Sequence, residues 1–258
     1  MRVAVTGAGG FVGQAVTRAV HAAGHDVLAL TRRSPVDVPG VAVRSGDLDA
    51  LVRAGRGARL VLASTAAVYG DVGPDPVRED HPAAPTHPYG ASKLAADLAA
   101  RDVAATGALG AVSLRAFNIA GACAGRGDAE PSRLVPAVLE VAAGARPEFV
   151  VHGDGSAVRD LLHVADAADA FVAALDACTP GTWRAFHLGS GYPVSVREVI
   201  DTAARVTGRA VPVSHRPAAA EPASLVADAS RARAELGWTP RRSSIERIVS
   251  DAWAARSP

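Results

Sequence analysis

The chain has 258 residues, 49% of them hydrophobic, and its 27 Lys and Arg against 26 Asp and Glu leave a net charge of +1. That is apolar material enough for one large α/β domain or for a domain with a smaller lobe, while the charge balance argues against nucleic-acid binding as the main function. The two cysteines, Cys123 and Cys178, make no disulfide framework and suit a reducing cytoplasm, and no run of about 18 apolar residues offers a membrane span.

In chain order, the opening Met1–Gly10 breaks at Gly7, too early for a signal-peptide core. Val3–Thr6 predicts a short buried strand, and Phe11–Ala23 a helix with Gly24 as its stop. Strands are expected at Val27–Thr31 and, more weakly, Val41–Arg44, then a short helix over Leu48–Arg56 and a strand over Arg59–Ser64. Tyr89–Ala105 reads as a long alanine-rich helix and Ala111–Arg115 as a strand. Further on come helices at Leu134–Ala143 and Val164–Cys178, with strands at Glu148–His152 and Phe186–Leu188. Ser195 and Glu198 form a capping box ahead of another helix. Ala229–Gly237 and Ile245–Ala255 are the last helices, and Arg216–Ala223 reads as a surface loop.

Strands alternating with helices imply a Rossmann-type, doubly wound parallel sheet. Gly7, Gly10 and Gly13 follow the first strand and open the first helix. Such glycines allow a tight turn, close approach of a pyrophosphate, and close helix–sheet packing, while the helix N-terminus offers free amides to phosphate. With Phe11 and Val12 they form the expected dinucleotide site. The second strand ends Thr31-Arg32-Arg33, with no acid to take ribose hydroxyls. Arg32 and Arg33 favour the 2′-phosphate of NADP over NAD; two solvated arginines are the alternative. Asp47-Leu48 either covers the adenine or caps a helix.

Tyr89 and Lys93 stand four apart, on one helical face. A nearby ammonium stabilises a phenolate, so the pair suits proton exchange with a substrate hydroxyl. The same spacing also arises by chance on an amphipathic surface. Order decides between the two readings: Thr6–Gly13, Ser64-Thr-Ala-Ala-Val-Tyr-Gly70, Tyr89-Gly-Ala-Ser-Lys93, Arg115-Ala-Phe-Asn118, Val158–Val164 and Ala227–Trp238 follow one another. This series resembles the extended short-chain dehydrogenase/reductase family, in its nucleotide-sugar epimerase/dehydratase branch, over nearly the whole chain.

The resemblance implies an NAD(P)-binding Rossmann domain over 1–120, completed by about 158–190, and a smaller substrate lobe from 121–157 and 191–258. It implies 4-epimerisation of a nucleotide-diphosphate sugar by transient hydride transfer at C4, with Thr65, Tyr89 and Lys93 catalytic and no metal. An NADPH-dependent keto-sugar reductase and a non-catalytic nucleotide-binding relative are the alternatives. Tyr89 and Lys93 then also touch cofactor. Asn118, Leu134, Val150, His152, Arg159 and Arg216 are substrate contacts, Arg159 clamping the diphosphate; His152 is otherwise an ordinary strand residue and Cys123 a small buried one. His163 and Asp166 belong to a motif of structural role.

Three departures from the family carry consequences. Ala66 and Ala67 replace the Asp-Glu of the dehydratases, so dehydration is not expected. Ala218 stands where a diphosphate arginine belongs, leaving Arg216 the nearest substitute. Only residues 14–64 separate Gly13 from Thr65, about half the family's usual spacing, so the fold should be shortened by about one strand–helix unit. Because unpaired ladder groups are costly in a buried sheet, the strand bearing Thr65 is expected to move over and fill the vacancy. The missing helix would be half of the family's dimer bundle. The Tyr89 helix has Ala95, Ala96, Ala99, Ala100, Asp97, Arg101 and Asp102 as its expected outer face. A monomer, or a dimer on another surface, is therefore expected.

Overall fold

The computed structural model describes residues 1–32, 34–45, 58–218 and 222–256. The elements are β1 (Arg2–Thr6), α1 (Phe11–Ala22), β2 (Asp26–Thr31), β3 (Ala42–Ser45), β4 (Ala58–Thr65), a 3-10 turn (Ala66–Val68), α2 (Pro88–Ala105) and β5 (Leu109–Ala116). Then follow β6 (Asn118–Ala120), β7 (Ala122–Cys123), β8 (Arg126–Gly127), α3 (Leu134–Ala142), β9 (Phe149–His152), β10 (Val158–His163), α4 (Val164–Ala177) and β11 (Trp183–Leu188). β12 (Pro193–Ser195), α5 (Val196–Thr207), β13 (Val213–Arg216), β14 (Ser224–Leu225), α6 (Ser230–Leu236) and α7 (Ile245–Ala254) complete the chain. The expected helix over Leu48–Arg56 lies outside the described residues.

Local chemistry places the ends of these elements. α1 stops before Gly24, whose φ of +82° is open to glycine. Pro88 begins α2, at the position where its missing N–H costs nothing. The Ser195–Glu198 capping box is formed in both directions, and α5 and α6 end on left-handed Gly208 and Gly237.

The doubly wound sheet is present as two parallel halves, β3–β2–β1 and β4–β5–β11. Among the described residues no ladder joins β1 to β4, so the expected filling of the vacancy by the Thr65 strand does not occur. Thr65 keeps its register opposite Ala116 of β5. The physical reason is exposure. Ala4 and Thr6 of β1, and Arg59 and Ala63 of β4, are open to solvent, so water can satisfy edge groups that a buried sheet would leave orphaned. Lys93 covers one of them, its Nζ donating to the Ala63 carbonyl at 3.0 Å.

α4 holds the halves together. Val164 and Ala168 pack with α1, β1 and β2, while Ala167, Ala170 and Ala174 pack with β5 and β11, and Phe171 touches both clusters. α2 covers the opposite face of β4 and β5 through Ala100 and Ala104. A third cluster joins α3, α5 and α7 through Leu139, Val199, Ala203, Ile248 and Val249, forming the packed base of the region beyond β6. Among the described residues no helix is long and apolar enough to cross a membrane.

Candidate active site

The glycine turn fits the phosphates of a dinucleotide. Gly7 has φ +65°, and a Cβ on Gly13 would lie 2.1 Å from the Gly7 carbonyl oxygen, so only glycine lets α1 start so close to the turn. α1 has no side-chain cap and no acid in its first turn. The amides of Phe11, Val12 and Gly13 are thus left for an anion. Gln14, unforeseen from sequence, is buried and donates to the Pro35 carbonyl at 3.1 Å, latching the loop after β2 onto the turn. Arg32 is exposed on that loop. Arg33, Asp47 and Leu48 lie outside the described residues.

Thr65 ends β4, and its hydroxyl accepts from the Ala67 amide at 3.2 Å, capping the 3-10 turn. α2 begins against this turn: a Cβ on Gly90 would lie 2.3 Å from the Ala67 carbonyl oxygen. Glycine at 90 therefore brings Tyr89 to the Thr65 turn. His87 caps α2, its Nδ1 accepting from the Gly90 amide at 3.2 Å, and its ring stacks on Tyr89 at 6.2 Å. Lys93 Nζ lies 5.9 Å from the Tyr89 ring centroid.

Thr65, Tyr89 and Lys93 line one cavity of about 840 Å³ with Val12, Asn118, Leu134, Val150, His152 and Arg159. Asn118 donates to the Asp160 carbonyl at 3.1 Å, and Arg159 to that of Pro222 at 3.0 Å. Arg216 does not line this cavity; it sits exposed on β13, in register with His152. Cys123 lines a different cavity, with Arg18, His163 and Asp251. Asp166 bonds Arg242 and Ser243, tying α4 to the approach to α7.

Beneath the trio lies a buried polar network whose partners sequence reading did not pair. Arg115 donates to Asp97 of α2 at 3.0 Å and to the Tyr69 hydroxyl at 2.8 Å, and that hydroxyl meets His187 Nε2 at 2.6 Å. His187 Nδ1 faces the Asp228 carbonyl at 3.3 Å. A carbonyl only accepts, so Nδ1 carries the proton and Nε2 accepts from Tyr69. Burial pushes His187 down to about 4, keeping it neutral. The network ties the Thr65 turn, the Tyr89 helix and the strand leading to Asn118 to one guanidinium. It also corrects the expected outer face of α2: Asp97 and Ala100 are buried, and Leu98 and Val103 point outward.

A family model described as the NAD dependent epimerase/dehydratase family matches residues 3–55 and 47–189. The chain is 44% identical over 207 residues to a UDP-glucose 4-epimerase of Corynebacterium glutamicum, covering 77% of this chain and 63% of that protein. It is 46% identical over 219 residues to a UDP-glucose 4-epimerase of Streptomyces lividans, covering 81% and 66%. The chain thus spans less than two thirds of the length of either relative. Among solved structures it resembles a UDP-glucose-4-epimerase from Stenotrophomonas maltophila with bound NAD and formylated UDP-arabinopyranose, at TM-score 0.88 and 29% identity over 98% of this chain and 97% of that one. It also resembles a UDP-glucose 4-epimerase from Bifidobacterium longum in complex with NAD+ and UDP, at TM-score 0.87 and 27% identity over 99% and 98%.

Proposed function

Because the chain belongs to the NAD dependent epimerase/dehydratase family, we propose that it is an NAD(P)-dependent nucleotide-sugar 4-epimerase. The observation that carries this reading is the convergence of Thr65, Tyr89 and Lys93 on a single cavity that continues to Asn118 and Arg159. A nicotinamide bound there supplies reversible hydride chemistry at a sugar carbon. Tyr89 moves the proton at the sugar's C4 oxygen, Thr65 orients that oxygen, and Lys93, one helical turn from Tyr89, holds the nicotinamide ribose. Arg159 holds the diphosphate. Ala66 and Ala67 provide no acid or base beside Thr65, which speaks against dehydration.

The cofactor we infer is NADP in preference to NAD: no acid ends β2, and Arg32 stands exposed beside the glycine turn. The same observation favours a second reading, NADPH-dependent reduction of a nucleotide-linked keto sugar, with the same trio. The free cysteines Cys123 and Cys178 fit work in a reducing compartment, the cytoplasm.

The test is to incubate the purified protein with UDP-glucose and each dinucleotide and to follow both sugar and cofactor. Appearance of the 4-epimer at constant dinucleotide supports the epimerase; stoichiometric NADPH oxidation with a keto sugar supports the reductase. Tyr89→Phe should lose about 10²–10⁴-fold in turnover while retaining dinucleotide binding. Full turnover in that variant would remove the assignment, and equal affinity for NAD and NADP would remove the cofactor preference.

A further inference from the structure

The sugar end of the cavity is well furnished, but only Arg159 has so far been assigned to the diphosphate. A diphosphate carries two or more negative charges on oxygens that suit more than one guanidinium. Of the two arginines expected to hold it, Arg216 lies outside the cavity. The cavity itself holds Lys93, Arg133, Arg146 and Arg159 against Asp128 and Glu148. That is four cations to two anions, an excess of two that matches a diphosphate.

Arg146 is engaged by Glu140 at 2.6 Å, and Glu148 accepts from Ser214 at 2.7 Å. Arg133 differs. Its Nη1 donates to Asp128 at 2.8 Å, and the Asp128 side chain is only 7% exposed. A nearly buried carboxylate therefore fixes one nitrogen of a guanidinium whose own side chain stays 55% exposed. The group has five N–H donors in a rigid plane. Among the described residues, Nε and Nη2 have no protein partner. Ser132 and Leu134, the neighbours of Arg133, also line the cavity.

We propose that Arg133, braced by Asp128, is the second arginine on the diphosphate, together with Arg159, in the role expected of Arg216. The inference rests on the nucleotide-sugar reading and deepens it. Arg133 becomes a specificity-determining residue for the phosphate part of the substrate, and Asp128 its positioning residue.

Calorimetric titration of UDP, UMP and uridine into the holoprotein tests this without turnover. The unmodified protein should prefer UDP. Arg133→Ala should weaken UDP about 10–100-fold, the loss expected for a charge-assisted contact, and uridine hardly at all. Arg133→Lys should recover part of the loss, and Asp128→Asn should show a smaller one. Arg216→Ala should bind UDP as the unmodified protein does. UDP affinity unchanged in both Arg133→Ala and Arg133→Lys, or a loss confined to Arg216→Ala, would overturn the assignment while leaving the nucleotide-sugar reading intact. An unmodified protein that binds no nucleoside diphosphate would overturn that reading too. If Arg133→Ala fails to fold, Arg133→Lys and Asp128→Asn decide: UDP affinity unchanged in both overturns the proposal.

Discussion

His187 shows how a residue far from the reacting atoms sets conditions for the site. It is fully buried, neutral, and bonded on both ring nitrogens. Its displacement to about 4 from the ordinary 6.5 is worth roughly 3 kcal/mol. The sign follows from which state holds the proton. Between pH 6.5 and 4 the unfolded chain protonates this ring and the folded chain does not. The stabilisation is thus complete above about 6.5 and is lost as the pH falls towards 4. Urea midpoints from pH 7 to pH 4 should drop more steeply for the unmodified protein than for His187→Gln, which is less stable throughout but lacks the ring. Carboxylates titrate in both proteins, so the difference between the curves isolates the histidine. Parallel curves would rule out this coupling.

At the scale of elements, the sheet is divided between β1 and β4 among the described residues. In a parallel strand the N–H and C=O of one residue point to the same side, and successive residues alternate between neighbours. The Ala63 carbonyl is met by Lys93 rather than by β5. The amides of Val61 and Ala63 therefore face the open side, while those of Leu60, Leu62 and Ser64 face β5. Hydrogen exchange read by NMR should show this alternation along β4: fast at Val61 and Ala63, slow at Leu62 and Ser64. β5, paired on both sides, should be slow throughout. Equal protection at Val61 and Leu62 would mean that another segment fills the space in solution.

Much of this architecture was legible because it is written locally. Gly24, Gly237 and the Ser195–Glu198 box mark helix ends by their own conformational limits, and the glycine turn needs no distant partner. The vacancy was also legible, from the short spacing between Gly13 and Thr65, but its outcome was not. That outcome depends on α4 spanning both half-sheets and on water reaching the edges, and neither is local. Arg133 escaped notice for the same reason. Its meaning comes from Asp128 and from a shared cavity, whereas Arg216 was favoured only by proximity to Ala218 in sequence. On α2, periodicity alone could not tell that Asp97 turns inward, because the reason is Arg115 on another strand.

For the whole molecule, the same vacancy bears on association. A stable two-fold interface needs about 1,200 Å² or more of buried surface, anchored by a few large side chains near its centre. The exposed face of α2 offers Leu98 and Val103 among Ala95, Ala99, Arg101 and Asp102. Two aliphatic anchors improve on the alanine surface expected from sequence, but they stand on a single helix. Among the described residues no second helix lies beside it to widen the patch. Charged Arg101 and Asp102, paired with each other at 3.1 Å, would also need desolvation if two copies met here. We therefore expect a monomer. Sedimentation velocity at micromolar concentration should give a single species of about 26 kDa. A dimer that dissociates on Leu98→Asp would show that α2 suffices as an interface, and would refute the expectation at its weakest point.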